Sequence, residues 1–302
     1  MKSLNDIAIK AKALGKKTRV AVAVAEDSNT LGALARAANE GFVHPILIGS
    51  KERIKSLPET ALLPRDGYQI IDIADHETAT KEAVRLVKSG EADVLMKGLV
   101  GTDKFLKEVL NKATGLLPPK AVMSYTCALE LPKYHKLLLI SDTAVLPYPD
   151  LAQKVAMINY SVKMAKALEI TMPKVALISA TEKVSEAMPN TIDYALISKM
   201  AQRGQIKGCV VDGPLDVFLA CDPQSLAIKG VDSPIAGSAD ILIFPNLETA
   251  NAFYKGLMLF AQGELAGLIQ GTSKPVIVMS RSESENSKYY CIALSCLMTE
   301  GR

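Results

Sequence analysis

The chain has 302 residues, 49% hydrophobic and 22% charged, with a formal net charge of +3 at pH 7. That length allows one large domain or two smaller ones with proper cores, and the composition excludes a disordered chain. A surplus of three charges is no nucleic-acid footprint, and no apolar run reaches the roughly 18 to 20 residues of a membrane span.

The opening stretch, MKSLNDIAIKAKALGKKTRV, mixes acids and bases and lacks the apolar block of a secretory signal, so the cytoplasm is the expected compartment. From there, apolar β-branched runs alternate with helix-like segments. Arg19 to Ala25 reads as a strand, followed by a helix over Asn29 to Glu40 and a second strand at Pro45 to Ile48. Ile70 to Ile73 precedes a helix from Thr78 to Lys88, and Val94-Leu95-Met96 precedes Gly98 and a helix from Asp103 to Leu110. Further strands are expected at Ala121 to Tyr125, Lys136 to Ser141, Lys174 to Ser179, Gly208 to Val211, Ile241 to Phe244 and Val276 to Met279. A helix is expected from Asp150 to Leu168, and another begins around Glu248. Strands joined by helical crossovers imply an α/β protein with mostly parallel sheets and helices on both faces. Pro147-Tyr148-Pro149 and Gln270-Gly271-Thr272-Ser273 punctuate the chain as boundaries.

Chemistry-bearing residues gather in three places. Between Lys97 and Lys136 seven lysines face three acids, a cationic wall suited to a phosphorylated ligand. Ahead of the helix near Glu248, Pro245-Asn246 stops a buried strand, which places polar groups at a strand's carboxyl end, where open α/β sheets bind ligands. The last strand runs into Ser280-Arg281-Ser282-Glu283-Ser284-Glu285, where a guanidinium can grip phosphate through two parallel hydrogen bonds and a hydroxyl can donate to an oxyanion. The five cysteines show no CxxC spacing and, with three scattered histidines, make no zinc pattern, so reduced thiols and no metal are expected. His135 receives no catalytic role.

The string Pro245-Asn246-Leu247-Glu248-Thr249-Ala250-Asn251-Ala252-Phe253-Tyr254-Lys255, with Ser233-Pro234-Ile235-Ala236-Gly237 before it, resembles the phosphate acetyl/butyryltransferase family. Gly98 to Thr102, Ser141 to Asp150, Asp212 to Leu215 and Pro275 to Leu294 extend the resemblance along the chain. It implies two α/β domains, 1–146 plus 270–302 and 147–269, with the active-site cleft between them. It implies transfer of a short acyl group between coenzyme A and inorganic phosphate by direct attack in a ternary complex, in a homodimer or larger homo-oligomer. Coenzyme A is then a substrate, and no bound cofactor, nucleic acid or membrane is expected.

By the same resemblance Arg281 binds the phosphoryl group and Ser280 polarises the carbonyl. Lys107 and Lys136 fall where acetyl-transferring members carry arginines. Lys97, Gly98, Asn246 and Asn251 are carried as substrate-binding candidates, and Thr102 and Ser124 add hydroxyls after strand ends. Three departures stand out: Ala250 replaces a glycine, Phe218 replaces an acid, and Ser287 falls where the family has its thiol base. Glu285, which shares a helical face with Arg281, is the substitute base, with Glu283 close by. Lys97-Gly98-Leu99-Val100 points to the butyryl branch. The alternatives are phosphate acetyltransferase, a metal- and NAD-dependent dehydrogenase-type enzyme on a related scaffold, or a non-catalytic coenzyme A-binding scaffold.

Overall fold

A computed structural model describes residues 1–280 and 283–300. In chain order the elements are α1 (Leu4–Ala13), β1 (Thr18–Ala23), α2 (Ser28–Asn39), β2 (Val43–Gly49), α3 (Lys51–Ser56), β3 (Gln69–Asp72), α4 (His76–Ser89), β4 (Val94–Lys97), α5 (Thr102–Val109), β5 (Ser124–Glu130) and β6 (Leu138–Ser141). They continue with α6 (Leu151–Ala167), β7 (Lys174–Ile178), α7 (Pro189–Gln202), β8 (Val210–Leu215), α8 (Val217–Cys221), α9 (Pro223–Lys229), β9 (Ile241–Ile243), α10 (Leu247–Phe260), β10 (Glu264–Gln270), β11 (Val276–Ile277) and α11 (Glu285–Glu300).

The chain forms two compact units, residues 5–123 with 265–302, and residues 1–4 with 124–264. In the first, the strands run in the order β3-β2-β1-β4-β11-β10, parallel except for the β10–β11 pair. In the second the order is β5-β6-β9-β7-β8, parallel except for β5 against β6. The sequence reading drew its divisions at 146/147 and 269/270. β6 instead lies in the same unit as its parallel partner β9, with Leu139 opposite Ile241, and carries β5 with it.

Local chemistry explains the element limits. β1, covered on both faces, is buried at every position but Arg19. Asp27, Asp75 and Asp150 each accept a backbone N–H from the first turn of the helix that follows, and Gly90, at φ 81°, ends α4 in the left-handed region. The strand expected at Ala121 to Tyr125 begins only at Ser124 and continues to Glu130. Lys120 just before it sits at φ 63° in a turn, so the apolar Ala121-Val122-Met123 run stays outside the ladder. Strand β10 has no counterpart in the sequence reading. Gly267 interrupts its apolar run, yet the Gly267 N–H finds the Cys291 sulfur at 3.1 Å from the α11 side.

Candidate active site

In the unit of residues 5–123 and 265–302, β4 lies between β1 and β11 and is parallel to both: Ala23 is opposite Lys97, and Ile277 opposite Met96. The chain leaves β1 toward β2 on one side and β4 lies on the other, so their carboxyl ends form a topological switch point, the place where open α/β sheets bind ligands. Lys97-Gly98 closes against the end of β1. Gly98 N–H donates to Ala23 O at 2.9 Å and Leu99 N–H to Val24 O at 2.7 Å. A Cβ at Gly98 would press on the carbonyl oxygens of Val24 and Ala23, so only glycine lets this strand end approach so closely. Val24 itself takes φ 58°, rare for a β-branched residue.

The Lys97 side chain, 6% exposed, turns back to the carbonyls of Gly98 and Val100, each at 3.2 Å. The loop then opens α5 at Thr102, with Gly101 as N-cap and no side-chain cap bond. Thr102 is exposed, and the first N–H groups of α5 are left for a ligand or water. Lys107 stands at the other end of α5, exposed, where its charge helps hold the Glu77 carboxyl below its ordinary range, after the hydrogen bond and charge of Lys81.

After β11 the chain reaches Ser280, which is exposed, and the Ser280 N–H donates to Glu283 Oε2 at 2.6 Å. Arg281 lies outside the described residues. α11 follows and packs against α2. Its Lys288, 4% exposed, donates to Asp27 Oδ1 at 3.2 Å and Thr30 Oγ1 at 3.4 Å. Ser287, where the resemblance leads one to expect an acid, is buried. Glu285 is exposed, and its carboxylate occupies the space beside Gly32 of α2.

The unit of residues 1–4 and 124–264 has its own edge. Asp142, buried directly after β6, accepts N–H groups of Tyr125 at 2.9 Å and of Ala144 and Val145 at 2.8 Å, with the Ser124 hydroxyl. Burial pushes its pKa up, against these donors, which stabilise the anion. Ser124 is buried, 3.3 Å from the Ser141 hydroxyl. Asn251 donates to Thr143 O at 2.9 Å, holding the same loop against α10. Asn246 caps α10, its side-chain oxygen accepting Thr249 N–H at 2.9 Å and Thr249 Oγ1–H at 2.7 Å. Lys136 lies at the opposite end of these strands, before β6, where it pairs with Asp240 at 2.5 Å and donates to Ser238 O at 3.0 Å.

Lys97, Gly98, Thr102 and Ser280 therefore share one strand-end region. Ser124, Asn246 and Asn251 meet at another, in the second unit, and Lys107 and Lys136 each stand at the opposite end of an element within their own unit. Sequence reasoning passed over Asp142, Asp27, Lys288 and Gly32. An acid directly after the apolar run Leu137-Leu138-Leu139-Ile140-Ser141 was the available signal for Asp142. Nothing local marks the contacts of Asp27 with Lys288 or of Gly32 with Glu285, which lie far apart along the chain.

Fold and strand ends together define an α/β protein of the kind that receives phosphorylated ligands at the carboxyl ends of parallel strands. The chain belongs to the phosphate acetyl/butaryl transferase family, whose model matches residues 4–85 and 77–296. It is 44% identical to the phosphate butyryltransferase of Clostridium beijerinckii over 93% of this chain and 92% of that one. It is 42% identical to the phosphate butyryltransferase of Clostridium acetobutylicum over 99% of this chain and 98% of that one. Among solved structures, a branched-chain phosphotransacylase from Enterococcus faecalis superposes with a TM-score of 0.83 at 28% identity, covering 93% of this chain and 99% of the other. Among the described residues no group of three or more His, Cys, Asp or Glu side chains is placed to hold a metal ion, and no helix is long and apolar enough to cross a membrane.

Proposed function

We propose that this protein transfers a short acyl group, butyryl or similar, between coenzyme A and inorganic phosphate. The meeting of Lys97-Gly98, the uncapped start of α5 and the Ser280 turn at the ends of adjacent parallel strands carries the reading. Phosphate, a dianion, is matched by N–H groups at a helix start and by the Arg281 guanidinium.

A phosphate oxygen attacks the thioester carbonyl carbon. The new C–O bond forms, the carbonyl electrons move to an oxyanion that the Ser280 hydroxyl stabilises, and collapse expels the coenzyme A thiolate, which takes a proton. In reverse, the Glu285 carboxylate accepts the thiol proton as sulfur attacks the acyl phosphate, and phosphate leaves with the C–O bonding pair. Coenzyme A is a substrate of this exchange, the site of action is the cytoplasm, and the working form is a homodimer or larger homo-oligomer. Relatives named phosphate butyryltransferase support the longer acyl chain over acetyl.

Steady-state rates with acetyl-, propionyl-, butyryl- and isobutyryl-CoA, each with and without phosphate, test the proposal. Phosphate-dependent thiol release with kcat/KM highest for a four-carbon chain is expected. Reduction of NAD with a hydroxy acid, or binding of coenzyme A without turnover, would favour the dehydrogenase or the scaffold reading instead.

A further inference from the structure

Four carboxylates stand on the segments that follow β1 and β11, and three are already engaged. Glu26 is buried and accepts the Ser50 N–H at 2.9 Å and Arg53 at 3.2 Å. Asp27 accepts the Thr30 N–H at 2.9 Å and Lys288 at 3.2 Å. Glu283 accepts the Ser280 N–H at 2.6 Å. Glu285 is exposed, and among the described residues its carboxylate makes no hydrogen bond or ion pair. A group that must take a proton from an incoming thiol needs a free lone pair and open access, and of these four only Glu285 has both.

What holds it in place is a gap in the neighbouring helix. Gly32 lies inside α2, where alanine is the better helix former. The Glu285 carboxyl carbon lies 2.7 Å, and Oε1 3.1 Å, from where a Cβ at Gly32 would stand. The carboxylate therefore occupies the volume of the missing side chain. A cost in helix propensity is accepted at the point where the carboxylate rests, and the obstacle to alanine there is the tip of a flexible side chain rather than backbone.

Resting on the transfer proposed above, we infer that Gly32 is a positioning residue: the absent Cβ seats Glu285 on α2 so that its carboxylate meets the thiol of coenzyme A. As the sulfur–acyl carbon bond forms and the bond from that carbon to the phosphate oxygen breaks, the thiol proton passes to the seated carboxylate and phosphate departs with the electron pair.

The test is kcat and KM for butyryl phosphate plus coenzyme A, with melting temperatures, in wild type, Gly32→Ala, Glu285→Gln and the double variant. Gly32→Ala is expected to lower kcat by about 10-fold or more, with both KM values within about 2-fold and the melting temperature unchanged or raised. Glu285→Gln is expected to lower kcat by about 10²-fold, and adding Gly32→Ala to it to cost nothing further. Glu285→Asp, shorter by one methylene, should recover part of the rate when combined with Gly32→Ala. A Gly32→Ala enzyme within about 2-fold of wild-type kcat would overturn the inference, as would losses that multiply in the double variant. So would a fall in melting temperature accompanied by raised KM, which marks a merely structural glycine. If wild type itself forms no acyl-CoA, the transfer reading falls and takes this inference with it. An active wild type beside an unaffected Gly32→Ala removes the positioning role alone.

Discussion

In the proposed transfer phosphate recognition is assigned to Arg281, because a planar guanidinium offers two parallel donors that a lysine cannot reproduce. Arg281→Ala should remove about 2 to 4 kcal/mol of transition-state stabilisation, the scale of losing one preorganised charged donor. Comparison of kcat/KM for phosphate in the folded variant and wild type measures it, and near-normal turnover refutes the role. Residue type alone made the candidates readable: Ser280-Arg281 after an apolar strand, and Lys97-Gly98 after another, are the residue types that binding a phosphate calls for. Burial and pairing were not legible. Lys136 reads as a free cation in a basic stretch, yet Asp240, about a hundred residues further on, holds it at the amino ends of β6 and β9. Helical spacing favours Glu285 over Glu283 in the sequence, and the fold adds what spacing cannot, a Glu283 carboxylate bound to the Ser280 N–H and a Glu285 carboxylate lying beside Gly32.

The strand end at Gly98 is a backbone device. Two hydrogen bonds tie Gly98 and Leu99 to the end of β1, and the same contact aims Thr102 and the start of α5 at the switch point. Gly98→Ala would drive a methyl group into two carbonyl oxygens that cannot yield without moving β1. A loss of about 1 to 3 kcal/mol is expected, read as a lower urea midpoint, together with weakened phosphate binding. An unchanged midpoint would show that the approach is not tight. At this scale the doubly wound pattern was readable, since parallel strands buried on both faces announce themselves as apolar runs. β10 was not, because Gly267 breaks its run and a sulfur on α11 supplies the partner that no local pattern reveals. Antiparallel β5 was misplaced for a related reason: Ala121-Val122-Met123 carries strand-like residues, but the turn at Lys120 keeps them out of the ladder.

At the scale of the whole molecule, part of the acid stability draws on an ion pair away from the candidate residues at the Gly98 strand end. Arg19 and Asp93 form a two-pronged pair at the start of β1, with Nε–Oδ2 at 3.0 Å and Nη2–Oδ1 at 2.8 Å, far along the strand from the Gly98 end. Burial works to raise the Asp93 pKa, but the Arg19 hydrogen bonds and charge outweigh it and hold the carboxyl below its ordinary 3.8. A lowered carboxylate pKa stabilises the fold fully above the unfolded value, and that stability is lost as pH falls through the folded value. The melting temperature should therefore drop as pH is taken below 3.8, and Asp93→Asn should flatten part of that drop while leaving neutral-pH kcat near normal. A variant with the same acid slope as wild type would contradict this.

In the proposed transfer, thioester cleavage and acyl phosphate formation are one event. The direct measurement follows thiol release from butyryl-CoA and traps acyl phosphate as its hydroxamate in the same reaction, with and without phosphate. Direct transfer yields the two products in equal amounts and only when phosphate is present. Thiol released without acyl phosphate, or at the same rate in the absence of phosphate, would mean a hydrolase or no dedicated activity at all.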